Sequence, residues 1–353
     1  MRRIAWCLVI TAAAAIAVTH GKAIDTLDIY FIDVEGGQST MIVTPAGQTL
    51  LIDAGFPGDG TFQSRPGDPH RARDAGRIVD AARDAGVTAI DYLLVTHFHA
   101  DHDGGVVELA ERMPIRVFVD HGAVSPLAEQ SVPGTLEVFK AYTRGRAGAR
   151  HLEPKPGERI PLKGVEVMVV STAGSTIGEP LPGAGRRNST CADEARSPDE
   201  PHENPRSTGI LLRFGKFRFL DLGDLTGAPL FSLVCPKDLI GPVDVYLVAH
   251  HGGADAVDAA TFAAFRPRVA VLNNGSTKGG APEMFGALRG VQGLKDVWQL
   301  HRSERPGSEN FGDDRIANLD ERTAQGIKLS AREDGSFQVT NKRTGTAVSY
   351  GVR

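Results

Sequence analysis

Three things are scarce in this sequence of 353 residues: cysteine, aromatic side chains and blocks of a single charge. The three cysteines, at positions 7, 191 and 235, form no Cys-x-x-Cys spacing, which disfavours a cysteine-ligated zinc site and a thiol nucleophile. Aromatic residues make up 6% of the chain, too few for the stacking surface of a general single-strand nucleic-acid binder. Charged residues make up 23%, without low-complexity repeats, which excludes a tail-like class. The 41% apolar content therefore predicts a globular protein.

The first 23 residues have the pattern of a secretory signal peptide. Arg2 and Arg3 precede an apolar run over residues 4–18, and Ala23 provides a small residue at a cleavage position. The run is shorter than the roughly 20 residues that cross a bilayer, which disfavours a stable membrane anchor. We therefore expect an exported protein, periplasmic or secreted.

Export changes what the net charge and the cysteines indicate. The formal net charge is −4, and losing the signal peptide removes three basic residues, so the mature chain is more acidic still. Nucleic acid is thereby disfavoured as a partner, because binding it gains from a basic surface. In an oxidising compartment Cys191 and Cys235 could pair or remain two free thiols, and we predict that they form a disulfide.

Short apolar runs alternate with helical patterns in both halves of the chain, which predicts two sheets packed face to face with helices outside. The main strand signals cover residues 26–33, 39–44, 49–53, 90–95 and 115–119. Helical patterns cover residues 72–85, 106–113 and 136–144. Hairpins are predicted over 158–170 and around Asp334-Gly335, and further strand and helix signals cover 209–214, 217–222, 243–248, 259–265, 269–272 and 282–288.

The domain organisation follows from these signals. Residues 24–300 are expected to form a catalytic domain, interrupted by a long loop near 173–206 that is rich in Pro, Gly, Ser and Asn and reads as an insertion or a lid. Residues 301–353 are expected to form a C-terminal extension whose hairpin packs on the same domain.

The strongest chemical signal is His97-Phe98-His99-Ala100-Asp101-His102, which follows the apolar strand of residues 90–95. Alternate loop residues point to one side, so three imidazoles and one carboxylate can converge on a small volume. Imidazole nitrogens and carboxylate oxygens are ligands that Zn, Fe and Mn accept. Lone histidines are commonly structural, but four potential ligands within six residues favour a metal site.

Three further segments join this motif: Leu51-Ile52-Asp53-Ala54-Gly55, Gly223-Asp224-Leu225 and Ala249-His250-His251-Gly252-Gly253. Together they resemble the metallo-β-lactamase-fold superfamily of binuclear metallohydrolases. Within it, the chain is similar to the extracellular domain of ComEC-type competence proteins and their soluble exported relatives. That similarity lies in Phe31-Ile32-Asp33-Val34-Glu35-Gly36-Gly37-Gln38, Asn204-Pro205-Arg206-Ser207 and Val243-Asp244-Val245. The resemblance implies an α/β (α+β) fold, a four-layer αββα sandwich of two mixed β-sheets.

The resemblance also implies six metal ligands: His97, His99, Asp101, His102, Asp224 and His251. The first two would hold one ion and the next two a second ion, and Asp224 would bridge both. His251 matches the terminal ligand of the superfamily and His250 would face the substrate, although the reverse assignment stays open. Asp53 would support the motif loop by hydrogen bonding, without touching metal, or would simply form the turn that ends its strand.

Two positions depart from the family pattern. No histidine clearly matches the middle ligand of the superfamily, and the candidates to replace it are His121, His151, His202, Glu203 and Asn204, of which the last two are favoured by their distance from Ser207. Gln38 stands where ComEC-type proteins carry an acidic residue, which weakens any transfer of their nuclease role.

We expect an exported hydrolase with two divalent metal ions, zinc in the first instance, with Mn or Fe as alternatives. A hydroxide between the ions would attack a phosphodiester, Asp101 would orient it and His250 would donate a proton. The substrate would be a small molecule or a phosphoester. Three alternatives remain: a hydrolase of lactones, thioesters or β-lactams, a ComEC-like nuclease, and a metal-binding module without turnover. The presence of Asp224, the expected bridging ligand, disfavours the last of these. The oligomeric state is left open.

Overall fold

The computed structural model describes residues 25–68, 70–191 and 202–353. The predicted signal peptide lies outside these residues, as does the part of the predicted loop insertion between 192 and 201. Two nine-stranded sheets pack face to face, and helices cover the outer face of each. The order of layers is therefore helix, sheet, sheet, helix.

The first sheet has the strand order β18-β17-β16-β1-β2-β3-β4-β5-β6. Its strands are β1 (Leu27–Phe31), β2 (Thr40–Val43), β3 (Thr49–Ile52), β4 (Ile90–Leu94), β5 (Ile115–Val119), β6 (Arg150–Leu152), β16 (Ile327–Ala331), β17 (Phe337–Asn341) and β18 (Ala347–Tyr350). Strands β3 to β6 run parallel, and the other neighbours pair antiparallel.

The second sheet has the strand order β15-β14-β13-β12-β11-β10-β8-β7, with β9 paired to β8. Its strands are β7 (Arg159–Ile160), β8 (Glu166–Thr172), β9 (Ser175–Thr176), β10 (Gly209–Phe214), β11 (Phe217–Asp221), β12 (Val245–Leu247), β13 (Val269–Leu272), β14 (Asp296–His301) and β15 (Ile316–Asn318). Strands β11 to β15 run parallel.

Eight α-helices connect these strands in the described part of the chain. They are α1 (Arg73–Asp84), α2 (Ala100–Asp103), α3 (Val106–Arg112), α4 (Ala128–Ser131), α5 (Thr135–Gly145), α6 (Gly227–Val234), α7 (Ala259–Phe265) and α8 (Pro282–Arg289). Short 3-10 turns cover Asn204–Arg206, Ala249–Gly252, Ala254–Ala256 and Asp313–Arg315. None of the helices described is long and apolar enough to cross a membrane.

Strands β1 to β4 and β13 are buried on both faces, which is why they appear in the sequence as nearly continuous apolar runs. In β1, Ile29 points into the core between the two sheets, whereas its neighbour Tyr30 packs under the helices on the outer face. Successive side chains of a strand point to opposite faces, so both need apolar residues. Helix α1 covers that outer face with Ala75, Ile78 and Ala82, spaced at the helical period.

The chain after residue 300 continues both sheets. Strand β14 ends at His301 and pairs in parallel with β15, at the edge of the second sheet. Strands β16, β17 and β18 form a meander that extends the first sheet beside β1, and the turn at Asp334-Gly335 joins β16 to β17.

The predicted disulfide between Cys191 and Cys235 is present, with 5.8 Å between the two Cα atoms. Cys235 directly follows α6, and Cys191 is the last residue of the described range 70–191. The loop on which the insertion was predicted is therefore tied covalently to the helix layer of the second sheet.

Candidate metal centre

Loops at the carboxyl ends of parallel strands from both sheets supply the predicted ligands. The loop after β4 carries His97 and His99, the loop after β11 carries Asp224, and the loop after β12 carries His250 and His251. Carboxyl ends of parallel strands lie at one edge of a sheet, where ligands of α/β proteins bind. The packing of the two sheets brings both edges together.

Four of the predicted ligands form one buried group: Asp101, His102, Asp224 and His251, whose ligand atoms all lie within 4.8 Å of one another. Oδ2 of Asp224 is 3.2 Å from Nε2 of His102 and 3.3 Å from Nε2 of His251. Oδ2 of Asp101 is 3.2 Å from Nε2 of His251. Two carboxylates and two imidazoles thus face one small volume.

The other two predicted ligands lie beside this group. Nε2 of His97 is 2.9 Å from Nδ1 of His99 and 3.8 Å from Oδ2 of Asp224. Both Nε2 of His99 and Oδ1 of Asp224 are buried without a hydrogen-bond partner in the described chain. A buried polar atom without a partner is costly, and a metal ion would satisfy both. Asp224 is placed between the two sets of ligands.

The protonation states suit metal binding. Burial lowers the pKa of His97 well below its usual value and that of His99 to about 4, so both imidazoles are neutral. Burial alone would raise the pKa of Asp224, but the imidazoles of His102, His251 and His250 lower it well below its usual value. Neutral imidazole and ionised carboxylate are the forms that coordinate metal, and His97, His99 and Asp224 are in those forms. Burial lowers the pKa of His102, but the carboxylates of Asp224, Asp101 and Asp53 outweigh it and raise that pKa well above its usual value. A metal ion at this centre would take the place of the His102 proton, and with that exchange the residues fit a pair of divalent ions.

Asp53 supports the motif loop without joining the ligand group. Its carboxylate accepts hydrogen bonds of 2.7 Å from both N and Oγ1 of Thr96 and lies 2.7 Å from Nδ1 of His102. Burial raises the pKa of Asp53, and the His102 imidazole opposes the rise. Because Nδ1 is occupied in this way, Nε2 of His102 is left to face the ligand group.

The two adjacent histidines differ sharply in burial. The His251 side chain is 1% exposed and lies in the ligand group, whereas the His250 side chain is 27% exposed. Nε2 of His250 is 3.6 Å from Oδ2 of Asp224, and its Nδ1 is 2.8 Å from Oδ1 of Asp255. Both histidines have positive φ, 51° and 53°, and their ring planes lie at 56° to each other. The structure thus places His251 inside the centre and His250 at its rim.

Of the candidates for the missing middle histidine, Asn204 lies beside His250 at the rim of the centre. Its Nδ2 is 3.4 Å from Nε2 of His250, and its Oδ1 is buried without a partner in the described chain. Glu203 points elsewhere, because its carboxylate accepts hydrogen bonds from N of Phe98 at 3.0 Å and N of Ser125 at 2.6 Å. Glu203 therefore anchors the motif loop, and Asn204 offers the carbonyl oxygen.

The three histidine candidates do not join the centre. Nε2 of His121 lies 3.0 Å from Oε2 of Glu203. His151 belongs to a separate group with Asp120 and Glu153, where its Nε2 is 2.9 Å from Oδ2 of Asp120. His202 is half-buried just before Glu203.

Sequence reasoning missed Lys278, whose ammonium contacts Oδ2 of Asp101 and donates a 2.7 Å hydrogen bond to the carbonyl of Gly36. The residue lies in a Gly-rich loop between β13 and α8. The sequence could have indicated this residue, because Lys278 follows an apolar strand and precedes Gly279 and Gly280, and the ends of other apolar strands carry the predicted ligands.

Comparisons with known proteins fit this geometry. A family model described as the metallo-beta-lactamase superfamily matches residues 33–272, and this confirms the expected fold class. The anti-Pycsar protein Apyc1 of Paenibacillus xerothermodurans is 46% identical over an alignment of 57 residues, and the match covers 14% of this chain and 23% of that protein. A hydroxyacylglutathione hydrolase of Nitrobacter hamburgensis is 44% identical over 57 residues, 16% of this chain and 22% of that protein. The chain thus spans less than a quarter of the length of these relatives.

Among solved structures, the metallo-beta-lactamase fold protein YhfI of Bacillus subtilis is similar, with a TM-score of 0.44 and 12% identity. The match covers 78% of this chain and 96% of that protein.

Proposed function

We propose that this chain, which belongs to the metallo-β-lactamase superfamily, is a binuclear metal-dependent hydrolase of phosphodiesters. The observation that carries the proposal is the position of Asp224, whose carboxylate faces two sets of ligands at once. Two divalent cations, when bound, supply water of lowered pKa and positive charge that stabilises a developing oxyanion. We propose zinc, with Mn or Fe as alternatives.

The residues divide between the two ions as follows. His97 and His99 would hold one ion, with the carbonyl oxygen of Asn204 in the place of the missing histidine. The remaining group, Asp101, His102 and His251, would hold the other. The shared carboxylate of Asp224 would offset the repulsion between the two cations.

His250 is proposed as the proton donor to the leaving oxygen. It lies at the rim with a partly exposed ring, and Asp255 holds its Nδ1 so that Nε2 faces Asp224. The carboxylate of Asp255, 2.8 Å from Nδ1, stabilises the protonated form of the His250 imidazole. A protonated imidazole next to the reacting group can act as a general acid.

The phosphodiester assignment rests on the donor chemistry. Asp101, Asp224 and Asn204 would supply oxygen ligands. Asn204 would take the place of a histidine, a nitrogen ligand, that many members of the superfamily carry. Hard oxygen ligands suit ions that bind phosphoryl oxygens. The deciding experiment is a turnover assay of metal-replete mature protein on a phosphodiester, a lactone, a thioester and a β-lactam. Turnover confined to substrates other than the phosphodiester would refute the substrate class.

A thioester is the second candidate substrate. It is favoured by the 57-residue match to a hydroxyacylglutathione hydrolase, at 44% identity. The same panel separates the two, because a thioesterase would turn over the thioester and leave the phosphodiester intact.

A ComEC-like nuclease is the less favoured reading of the same site. Gln38, at the position where those proteins carry an acid, does not face the metal ligands. Its Nε2 donates to both oxygens of Asp221, at 3.1 and 3.2 Å, and its Oε1 accepts from Asn273. The net charge of −4 also opposes binding of nucleic acid.

Export is proposed together with this activity. The disulfide between Cys191 and Cys235 is of the kind that persists in oxidising compartments, which supports a periplasmic or secreted location. Sequencing the N-terminus of protein recovered from the producing cells tests it, and the mature chain should begin near Ile24. Intact Met1 on soluble cytoplasmic protein would refute export.

A further inference from the structure

Among the lysine and arginine side chains in the described part of the chain, that of Lys278 is the one that contacts a predicted metal ligand, Asp101. It is 28% exposed, and the His250 side chain is 27% exposed, whereas the buried ligands Asp101 and Asp224 are 6% and 2% exposed. These two partly exposed groups therefore mark the face of the centre that a substrate reaches first.

The Lys278 ammonium keeps donor capacity for a ligand. An ammonium group has three N–H donors. Two are directed to protein acceptors, the carbonyl of Gly36 and Oδ2 of Asp101. In the described part of the chain the third has no protein acceptor, so it is left for a ligand.

The backbone holds this lysine in place independently of its side chain. N of Gly275 donates to the carbonyl of Lys278 at 2.9 Å, which closes a tight turn. N of Gly280 donates to the carbonyl of His251 at 2.9 Å. The loop of residues 275–280, the lysine loop, is therefore hydrogen-bonded directly to the loop that carries the predicted metal ligand His251. On the other side, the absence of a Cβ at Gly36 lets the Lys278 stem approach, since a Cβ there would lie 2.9 Å from Cβ of Lys278. A fixed position of this kind reduces the entropy lost when the ammonium binds a ligand.

We propose that Lys278 is the specificity-determining residue of this site: its ammonium binds a non-bridging anionic oxygen of the phosphoryl group and so selects anionic phosphodiesters over neutral esters. This inference rests on the proposed function, whose substrate class it deepens. A neutral ester offers no charge to the ammonium, whereas a hydrogen bond between charged groups is about twice as strong as a neutral one. The proton stays on Lys278 throughout, so its role is recognition and not proton transfer.

The test compares Lys278→Met with Lys342→Met. Lys342 is a matched control, because its ammonium also contacts a carboxylate, that of Asp84, and its side chain is 30% exposed. The first readout is the affinity of metal-loaded protein for inorganic phosphate, measured by calorimetry together with metal content. We expect Lys278→Met to keep its metal and to bind phosphate roughly tenfold to hundredfold more weakly, with Lys342→Met unchanged.

The second readout is the kinetics on bis(p-nitrophenyl) phosphate and on p-nitrophenyl acetate, which share a leaving group. Lys278→Met should raise KM for the anionic diester and leave the neutral ester unaffected, and Lys278→Arg should recover part of the loss. Unchanged phosphate affinity in Lys278→Met, or a loss of metal that accounts for the weaker binding, would overturn the inference. Wild-type protein without diester turnover would refute the proposed function, while the phosphate titration would still decide the role of Lys278.

Discussion

Oδ2 of Asp53 lies 2.7 Å from Nδ1 of His102, and this contact fixes which nitrogen of the imidazole faces the metal centre. Asp53 has a φ of +59°, a conformation that few residues other than glycine adopt. The backbone turn and the two hydrogen bonds from Thr96 hold the carboxylate in place beneath the ring. A residue that never touches metal thereby orients one that does.

Replacing Asp53 by Asn should lower metal affinity by about 10- to 100-fold, because the amide can no longer hold His102 in the required tautomer. Titration with a competing chelator measures this. Asp33→Asn is the control, since Asp33 also lies 2.7 Å from a buried imidazole, Nε2 of His301, outside the ligand group. Equal metal affinity in the two variants would show that Asp53 acts only on stability.

His251→Ala should lose metal, whereas His250→Ala should keep it. Nε2 of His251 lies within 3.3 Å of Oδ2 of both Asp101 and Asp224, so its loss should release metal. His250 lies at the rim, so its loss should keep the metal and reduce turnover by about 100-fold or more. Metal analysis and kcat measured on the same samples check this. Metal loss in His250→Ala, with metal kept in His251→Ala, would reverse the assignment of the pair.

Glu203→Gln should destabilise the fold by about 3 kcal/mol, because a buried carboxylate that accepts backbone hydrogen bonds is replaced by an amide that must turn a donor toward one of them. Glu129→Gln is the matched control. Its carboxylate also accepts from two backbone N–H groups, those of Gly134 and Leu136, but it is exposed. Denaturant unfolding of both variants measures the difference. Equal losses would contradict an anchoring role that depends on burial.

Much of the fold could be predicted from apolar periodicity alone. The predicted strands 115–119, 209–214 and 269–272 match β5, β10 and β13 in both bounds. Each is a mostly buried strand bounded by glycine, proline or polar residues, so the apolar run has clear ends in the sequence. Strand β14 was missed, because its sequence Asp-Val-Trp-Gln-Leu-His mixes polar and apolar residues without alternation, although its last five residues are buried.

Helix α6 was not predicted, because its sequence contains residues that are typical of turns. Its eight residues begin at Gly227 and include Pro229 at the third position, and both residues are typical of turns. Tertiary packing overrides that local preference, since Leu230, Leu233 and Val234 are buried under the second sheet.

Some residues of the candidate site are neighbours in the sequence, whereas others are far apart in the chain. The ligand motif of residues 97–102 is contiguous, so the sequence alone predicted a metal site there. The contacts of Lys278 join residues 177 and 242 positions apart in the chain, and no spacing in the sequence encodes such a contact. The choice between Glu203 and Asn204 likewise needed the direction of each side chain.

Reducing the disulfide between Cys191 and Cys235 should lower the free energy of unfolding by about 2–4 kcal/mol. The two residues are 44 positions apart, and breaking the bond restores the freedom of that loop in the unfolded chain. Thermal unfolding with and without reductant, repeated on a double Cys→Ser variant, measures the effect. A reductant effect that persists in the double variant would show that the shift has another cause.

Gly279→Ala should damage the metal centre and the Lys278 position together. Gly279 has a φ of +68°, and a Cβ added there would lie 2.3 Å from the carbonyl oxygen of His251. Real Cβ atoms do not approach backbone so closely, and the strained φ adds about 1 kcal/mol, so the lysine loop must move away from the ligand loop.

Because the two loops share the hydrogen bond from N of Gly280 to the carbonyl of His251, the displacement should weaken both metal and phosphate binding. Gly286→Ala, in the nearby helix α8, is the control: a Cβ there has nothing within 4 Å, and alanine should stabilise the helix by about 0.5–1 kcal/mol. Metal content and phosphate affinity of the two variants decide the matter. Wild-type values of both in Gly279→Ala would mean that the lysine loop is not coupled to the metal centre through this contact.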